Sequence, residues 1–186
     1  MIANYDQIRW VFQTTEVSNM TALSLCLYCI TQAIALLIVA NGAPVLINNA
    51  LGKRWTWPVD NGLKLHDGRR LFGDSKTWRG LCSAILFTMI AAVLSGIDLL
   101  TAVLFGILAM TGDLLASFIK RRTGCVESSR ARGLDTVPES LLPILVLKEP
   151  LALSLIDIIL ITAFFFLIEE LISPVLYRLH IRNRPY

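Results

Sequence analysis

Residues 81–122 read LCSAILFTMIAAVLSGIDLLTAVLFGILAMTGDLLASFIKRR, and this stretch decides the fold. An apolar run from Leu81 to Leu94 is followed by a second from Leu99 to about Ile119. Only Ser95, Gly96, Ile97 and Asp98 separate them, which leaves room for nothing but a tight helical hairpin. A helix needs about 20 apolar residues to cross the hydrocarbon core of a bilayer. The pair therefore predicts two neighbouring membrane spans, the second ending in Lys120, Arg121 and Arg122.

The flanking sequence has the same character. The chain has 186 residues, of which 55% are hydrophobic and 17% charged, with a mean hydropathy of +0.63. This excludes a disordered chain, a small disulfide scaffold and a conventional water-soluble enzyme. We expect an all-α integral membrane protein, one domain over 1–186. It has about five spans, near 21–40, 81–95, 98–119, 137–148 and 151–176, and cytoplasmic functional loops at 51–80 and 121–137. Asn41, Gly42 and Pro44 should end or break the first helix. That span reads as a retained anchor, since no basic stretch precedes it. Trp10 and Phe12 are placed to lie at an interface. The run Leu141 to Leu147 is too short to cross alone unless it starts near Val137 and the bilayer thins around it.

Charge placement orients the chain. Of 17 Lys and Arg residues, seven lie from Lys53 to Arg79 and five from Lys120 to Arg132, and Arg178, Arg182 and Arg184 follow the last run. The positive-inside rule puts these blocks in the cytoplasm and the N-terminus outside. Their position beside membrane segments argues against nucleic acid as a partner. Cys26 and Cys29 form a C-x-x-C inside a span and read as packing residues. His66 and His180 stand alone and read as surface groups.

Several polar residues are harder to assign to packing. Asp113, Ser117 and Lys120 recur at helical spacing and share one face. They could form a phosphate and metal site, or a helix end whose basic residues snorkel to headgroups. Asp135 and Glu139 stand four apart and suit a hard cation that takes carboxylates together with substrate phosphates. Alternatively Asp135 or Ser140 simply caps a helix, with Pro138 in its first turn. The loop PVDNGLKLHDGRRLFGDSKTWRG, residues 58–80, combines glycines at 62, 68 and 73 with Arg69, Arg70, Asp74, Lys76 and Arg79. Such a loop can approach an anion closely and complement its charge, or it can be a solvated basic loop that enforces topology. It misses the P-loop pattern, because Asp74 and Ser75 intervene before Lys76. Asp157 lies near the outer end of the last run and should reach water. Glu169 and Glu170 lie deeper, so at least one should face a cavity or a basic partner.

Taken together, NGAPVL (41–46), PVDNG (58–62), DGRRLFGDSKTWRG (67–80), GDLLASFIKRR (112–122) and GLDTVPESLLP (133–143) resemble the CDP-archaeol synthase family. That family is related to phosphatidate cytidylyltransferase, the CDP-diglyceride synthetase. The ending LHIRNRPY looks more like its bacterial members, which implies a bacterial inner membrane with the active site on the cytoplasmic face. The resemblance implies transfer of CMP from CTP to a lipid phosphate, releasing pyrophosphate, with Mg²⁺ as cofactor. It carries over Asp113, Ser117, Lys120, Arg121 and Asp135, with Lys76 and Arg79. Asp113, Lys120 and Asp135 are the expected catalytic group. Asp74, Lys76, Arg79, Ser117, Arg121, Arg69 and Arg70 are the expected substrate contacts, and Asp113, Asp135 and Glu139 the expected metal ligands. One departure stands out: where the family tends to place a second Asp, this chain has Pro138, with Glu139 one position later. Cys125, Val126 and Glu127 replace a Lys-Asp pair of the diglyceride enzymes, leaving Glu127 as a candidate. The expected partners are CTP, a lipid phosphate and membrane lipids, with a homodimer possible. A CTP-dependent lipid kinase and a non-enzymatic transporter or scaffold are the rivals.

Overall fold

The computed structural model describes residues 25–52, 54–125 and 133–178, with side chains to residue 172. The interfacial reading of Trp10 and Phe12 lies outside these residues, as do the start of the first span, Glu127, His180 and the basic tail with Arg182 and Arg184. Among the described residues the chain forms five helices and no strand. They are α1 (Leu27–Leu51), α2 (Trp78–Leu94), α3 (Leu99–Arg122), α4 (Thr136–Val146) and α5 (Leu155–Arg178).

The hairpin forms as expected. Asp98 caps α3 by accepting from the Thr101 N–H at 3.0 Å, and Thr77 caps α2 by accepting from Gly80 at 3.2 Å. Lys120, Arg121 and Arg122 close α3, where cations complement the negative end of the helix dipole. With 25 and 24 residues, α1 and α3 are each long and apolar enough to cross a bilayer. The outward surfaces of the helices stay apolar: Leu46 on α1, Leu86 and Ile90 on α2, Leu115 on α3 and Leu145 on α4 are all exposed. In water such a surface would drive association, whereas in lipid it needs no cover. The core between helices is built on Leu36, Leu37, Phe105, Ile144, Ile161 and Phe165.

Three expectations fail. The first helix does not break at Asn41-Gly42-Pro44 but runs on to Leu51. Ala40 and Ala43 are buried around the break point, and the start of α2 packs against Pro44, so tertiary contacts outweigh the local signal. Cys26 and Cys29 are joined by a disulfide, because a three-residue step across the first helical turn brings their Cα atoms to 5.2 Å. Asp157 does not reach water. It is 1% exposed, accepts from the Ser154 N–H at 2.9 Å, and its own N–H donates to the Ser154 hydroxyl at 3.1 Å. That reciprocal pair is a capping box for α5.

The short fourth run is an 11-residue helix, about 16 Å long and well under a bilayer's ~30 Å core. The chain then turns through 147–154, with Leu147, Leu151 and Leu153 buried in the core. α4 lies unusually close to α3. A Cβ on Gly112 would come 2.2 Å from the Pro138 carbonyl oxygen and 2.7 Å from the Glu139 Cα, so only glycine permits the approach. This contact sets Glu139 against the residue next to Asp113.

Candidate active site

Where α3 and α4 meet, two lysines and three carboxylates gather. Lys76, from the loop before α2, donates to both oxygens of Asp113 on α3 at 2.5 Å. Lys120, two helical turns further along α3, donates to both oxygens of Asp135 at 2.8 and 3.0 Å. Asp135 stands at the N-terminus of α4 but makes no capping hydrogen bond there. Its carboxylate faces the lysine, which answers the question of a simple cap. Burial alone would push Lys76 down, but Asp113, Glu139 and Asp135 outweigh it and hold its ammonium above the usual range.

Glu139 lies one turn after Asp135 and is 3% exposed. It sits beside Asp113 and Glu169, with a hydrogen bond from Asn41 of α1. Its Oε1 has no partner among the described residues. Glu169 of α5 accepts from the Thr136 hydroxyl at 2.7 Å, a neutral partner where a basic one or a cavity was expected. Ser117 is buried on α3, one turn from Asp113. The site thus draws on α1, the first loop, α3, α4 and α5.

The first loop is a folded platform, organised by a residue whose role the sequence did not reveal. Asp60 is buried and accepts from the backbone N–H groups of Gly62, Phe72 and Gly73 at 3.0–3.1 Å. Arg70 adds two further bonds to it, the shorter 2.6 Å. Burial would raise the Asp60 carboxyl, but Arg70 and these N–H groups hold it far below the usual range. The Asp-Asn-Gly of PVDNG was the available signal, since an Asp two residues before a Gly is placed to close an Asx-turn.

Latches join this platform to the helices. Arg122 donates to Asp67 at 2.7 Å and to the Arg70 carbonyl at 2.6 Å. Arg69 returns the tie by donating to the carbonyls of Arg121 and Arg122 at 3.2 and 2.9 Å. Arg79 bonds the Gly52 and Arg54 carbonyls and the Asn48 side chain, closing the end of α1. Asp74 pairs with Arg70 at 2.8 Å on the exposed side of the loop.

The expected residues therefore fall into three groups. Lys76, Asp113, Ser117, Lys120, Asp135 and Glu139 share the helix junction. Arg69, Arg70 and Arg121 line a neighbouring cleft of about 220 Å³, with Gly124 and Cys125. Asp74 and Arg79 stand apart as loop latches. Among the described residues no three carboxylates converge tightly enough to hold a cation by themselves. Mg²⁺ does not require that, because it commonly takes one or two carboxylates, several waters and substrate phosphates. The unpartnered Glu139 oxygen and the acidic pair near it fit that donor set.

Comparison with known proteins agrees with this architecture. The CDP-archaeol synthase family (CarS-like) matches residues 17–186. The CDP-archaeol synthase of Sulfurisphaera tokodaii is 34% identical over 155 residues, covering 80% of this chain and 90% of its own length. That of Pyrobaculum arsenaticum is 38% identical over 113 residues, covering 58% and 67%, and that of Sulfolobus acidocaldarius 30% identical over 155, covering 80% and 91%. A solved intramembrane enzyme for archaeal membrane lipid biosynthesis superposes with a TM-score of 0.63 at 27% identity, covering 74% of this chain and 88% of that one. The chain belongs to the CDP-archaeol synthase family and is an integral membrane nucleotidyltransferase of the CTP-dependent cytidylyltransferase class.

Proposed function

We propose that the protein transfers CMP from CTP to the phosphate of an archaeol-type ether lipid, giving CDP-archaeol or a close analogue and pyrophosphate. A lipid-phosphate oxygen attacks the α-phosphorus of CTP. The bond between that phosphorus and the bridging oxygen to the β-phosphate breaks, and pyrophosphate leaves with the electron pair. The attacking phosphate is already ionised at neutral pH, so no strong base is needed. The site has to align the reactants and neutralise charge.

Lys76 and Lys120 suit this work because each is already cationic beside a carboxylate. Asp113 and Asp135 would hold Mg²⁺ together with Glu139, and the bound cation would neutralise charge on the triphosphate. The lysines, released from their carboxylates, would then face phosphate oxygens, with Ser117 beside them. Arg121, Arg69 and Arg70 draw the triphosphate or the lipid phosphate toward their cleft. The lipid tails lie between the helices, with the phosphate at the cytoplasmic face where CTP is available.

One observation carries this reading: two lysine–carboxylate pairs flank a buried, half-satisfied glutamate at a helix junction beside an arginine-lined cleft. The test uses purified protein in lipid, CTP labelled at the α-phosphate, Mg²⁺ and a panel of ether and ester lipid phosphates. Label should enter a CDP-lipid, most efficiently with the ether lipid, and Asp135→Asn should abolish the transfer. Turnover retained in a folded Asp135→Asn protein would remove the metal role. Label passing only from the γ-phosphate to a lipid alcohol would replace the reading with a kinase.

A further inference from the structure

The loop that supplies Lys76 carries a feature that neither the site nor the core uses. Trp55, Trp57 and Trp78 are 70%, 71% and 50% exposed. They do not lie on a wandering loop. The Trp78 N–H donates to the Trp57 carbonyl at 3.1 Å, and Pro58 pairs with Thr77 next to them. Arg79 ties the carbonyls of Gly52 and Arg54 to the same place. The indoles are thus carried on a stapled junction between the end of α1 and the first residue of α2. Trp55 holds a left-handed backbone with φ of 53°, a conformation that a bulky side chain rarely adopts.

A bilayer offers exposed indoles a favourable place. An indole has an apolar body and one N–H donor, and it is enriched at the headgroup level of membranes. The patch is continuous with α1, long and apolar enough to cross a bilayer, and with the shorter apolar α2, and Arg54 beside it is exposed. We propose that Trp55, Trp57 and Trp78 dock in the headgroup layer of the bilayer and set the depth of the loop that carries Lys76. Lys76 lies two residues before Trp78, and its carbonyl accepts from the Val59 N–H at 2.8 Å. An anchored junction therefore holds this lysine at the level of a lipid phosphate. That second part rests on the function proposed above.

The chain has four tryptophans, so replacing Trp10 and Trp78 by Phe leaves Trp55 and Trp57 as reporters. The protein is reconstituted in phosphatidylcholine–phosphatidylglycerol vesicles, plain or with acyl chains brominated near the head end or near the tail end. Head-end bromine should remove most of the emission and tail-end bromine much less, with poor access to acrylamide. Emission untouched by both bromolipids would overturn the proposal, whether the indoles stay open to acrylamide in water or are shielded by a second protein copy. Stronger quenching by tail-end bromine would overturn the headgroup depth. In turnover, Trp55→Ala with Trp57→Ala should raise KM for the lipid phosphate several-fold at unchanged KM for CTP, and Tyr at both positions should restore it. Equal changes in both constants would overturn the positioning role. Lack of turnover in the unaltered protein would count against the proposed function while leaving the quenching result to decide the docking.

Discussion

Replacing Lys76 with methionine removes a charge while keeping much of the side-chain volume, and the proposed site requires two effects of opposite sign. Lys76 Nζ lies 2.5 Å from both oxygens of Asp113, and the two side chains are 23% and 22% exposed. Opposite unit charges about 4 Å apart at an effective dielectric near 20 attract by about 4 kcal/mol. Desolvation of the ions cancels much of that, leaving a net hold of about 2 kcal/mol. A cation competing for Asp113 must overcome it. Lys76→Met should therefore tighten binding of Mn²⁺, measured as free ion by electron paramagnetic resonance, by roughly 30-fold. The same change removes a charge-assisted hydrogen bond to the nucleotide, worth about 1.5–3 kcal/mol. A non-hydrolysable CTP analogue should then bind at least roughly tenfold more weakly. Because the Lys76 ammonium is held above its usual range, its pairing is fully present below about pH 10.4 and is lost only as pH rises through the higher folded value. Both effects should consequently be flat across the neutral range. Mn²⁺ affinity that falls together with nucleotide affinity, or that does not move, would refute the reasoning.

Two further expectations follow from the platform and the helix junction. Gly112→Ala places a methyl against the Pro138 carbonyl oxygen and the Glu139 Cα, backbone atoms that cannot rotate away. It should cost about 1–3 kcal/mol or more of thermal stability and roughly a hundredfold in turnover, since a shift of about 1 Å suffices for that. Asp60→Asn replaces the charged acceptor at the centre of the loop and should weaken it by about 3 kcal/mol, read as faster proteolysis within 54–77. The Asp60 carboxyl is held low, so its contribution is fully present above about pH 3.9 and fades as pH falls through the depressed folded value. The unaltered loop should therefore resist protease in mild acid, and early cleavage there would contradict the Asp60 hub.

Much of the bundle was legible because apolar periodicity and span length are local properties. The hairpin at 95–98, the ends of α3 and the face shared by Asp113, Ser117 and Lys120 all follow from spacing along one chain segment. The failures share a cause. Asn41-Gly42-Pro44 carries a strong local breaking signal, yet Asn41 is kept in the helix and hydrogen-bonds Glu139 from across the bundle. Likewise, that Arg70 meets Asp60 and Asp74, and that Arg79 meets backbone carbonyls, is visible only in the structure. A sequence shows that a guanidinium is present but not which acceptor it meets.

By itself the sequence determined the membrane setting, the helical class, the clustering of basic residues beside the spans and the candidate acids and lysines. These depend on hydropathy, on helical period and on recurrent segments, each confined to a few turns of chain. Only the tertiary structure decided that Lys76 meets Asp113, 37 residues away, and that Lys120 meets Asp135 and leaves its cap unmade. Those pairings hang on the bare backbone of Gly112, which lets α4 close on α3, and on Asp60, which folds the loop under Lys76. Long-range pairing is set by which surfaces can approach, and that is a property of packed helices, which no single segment contains.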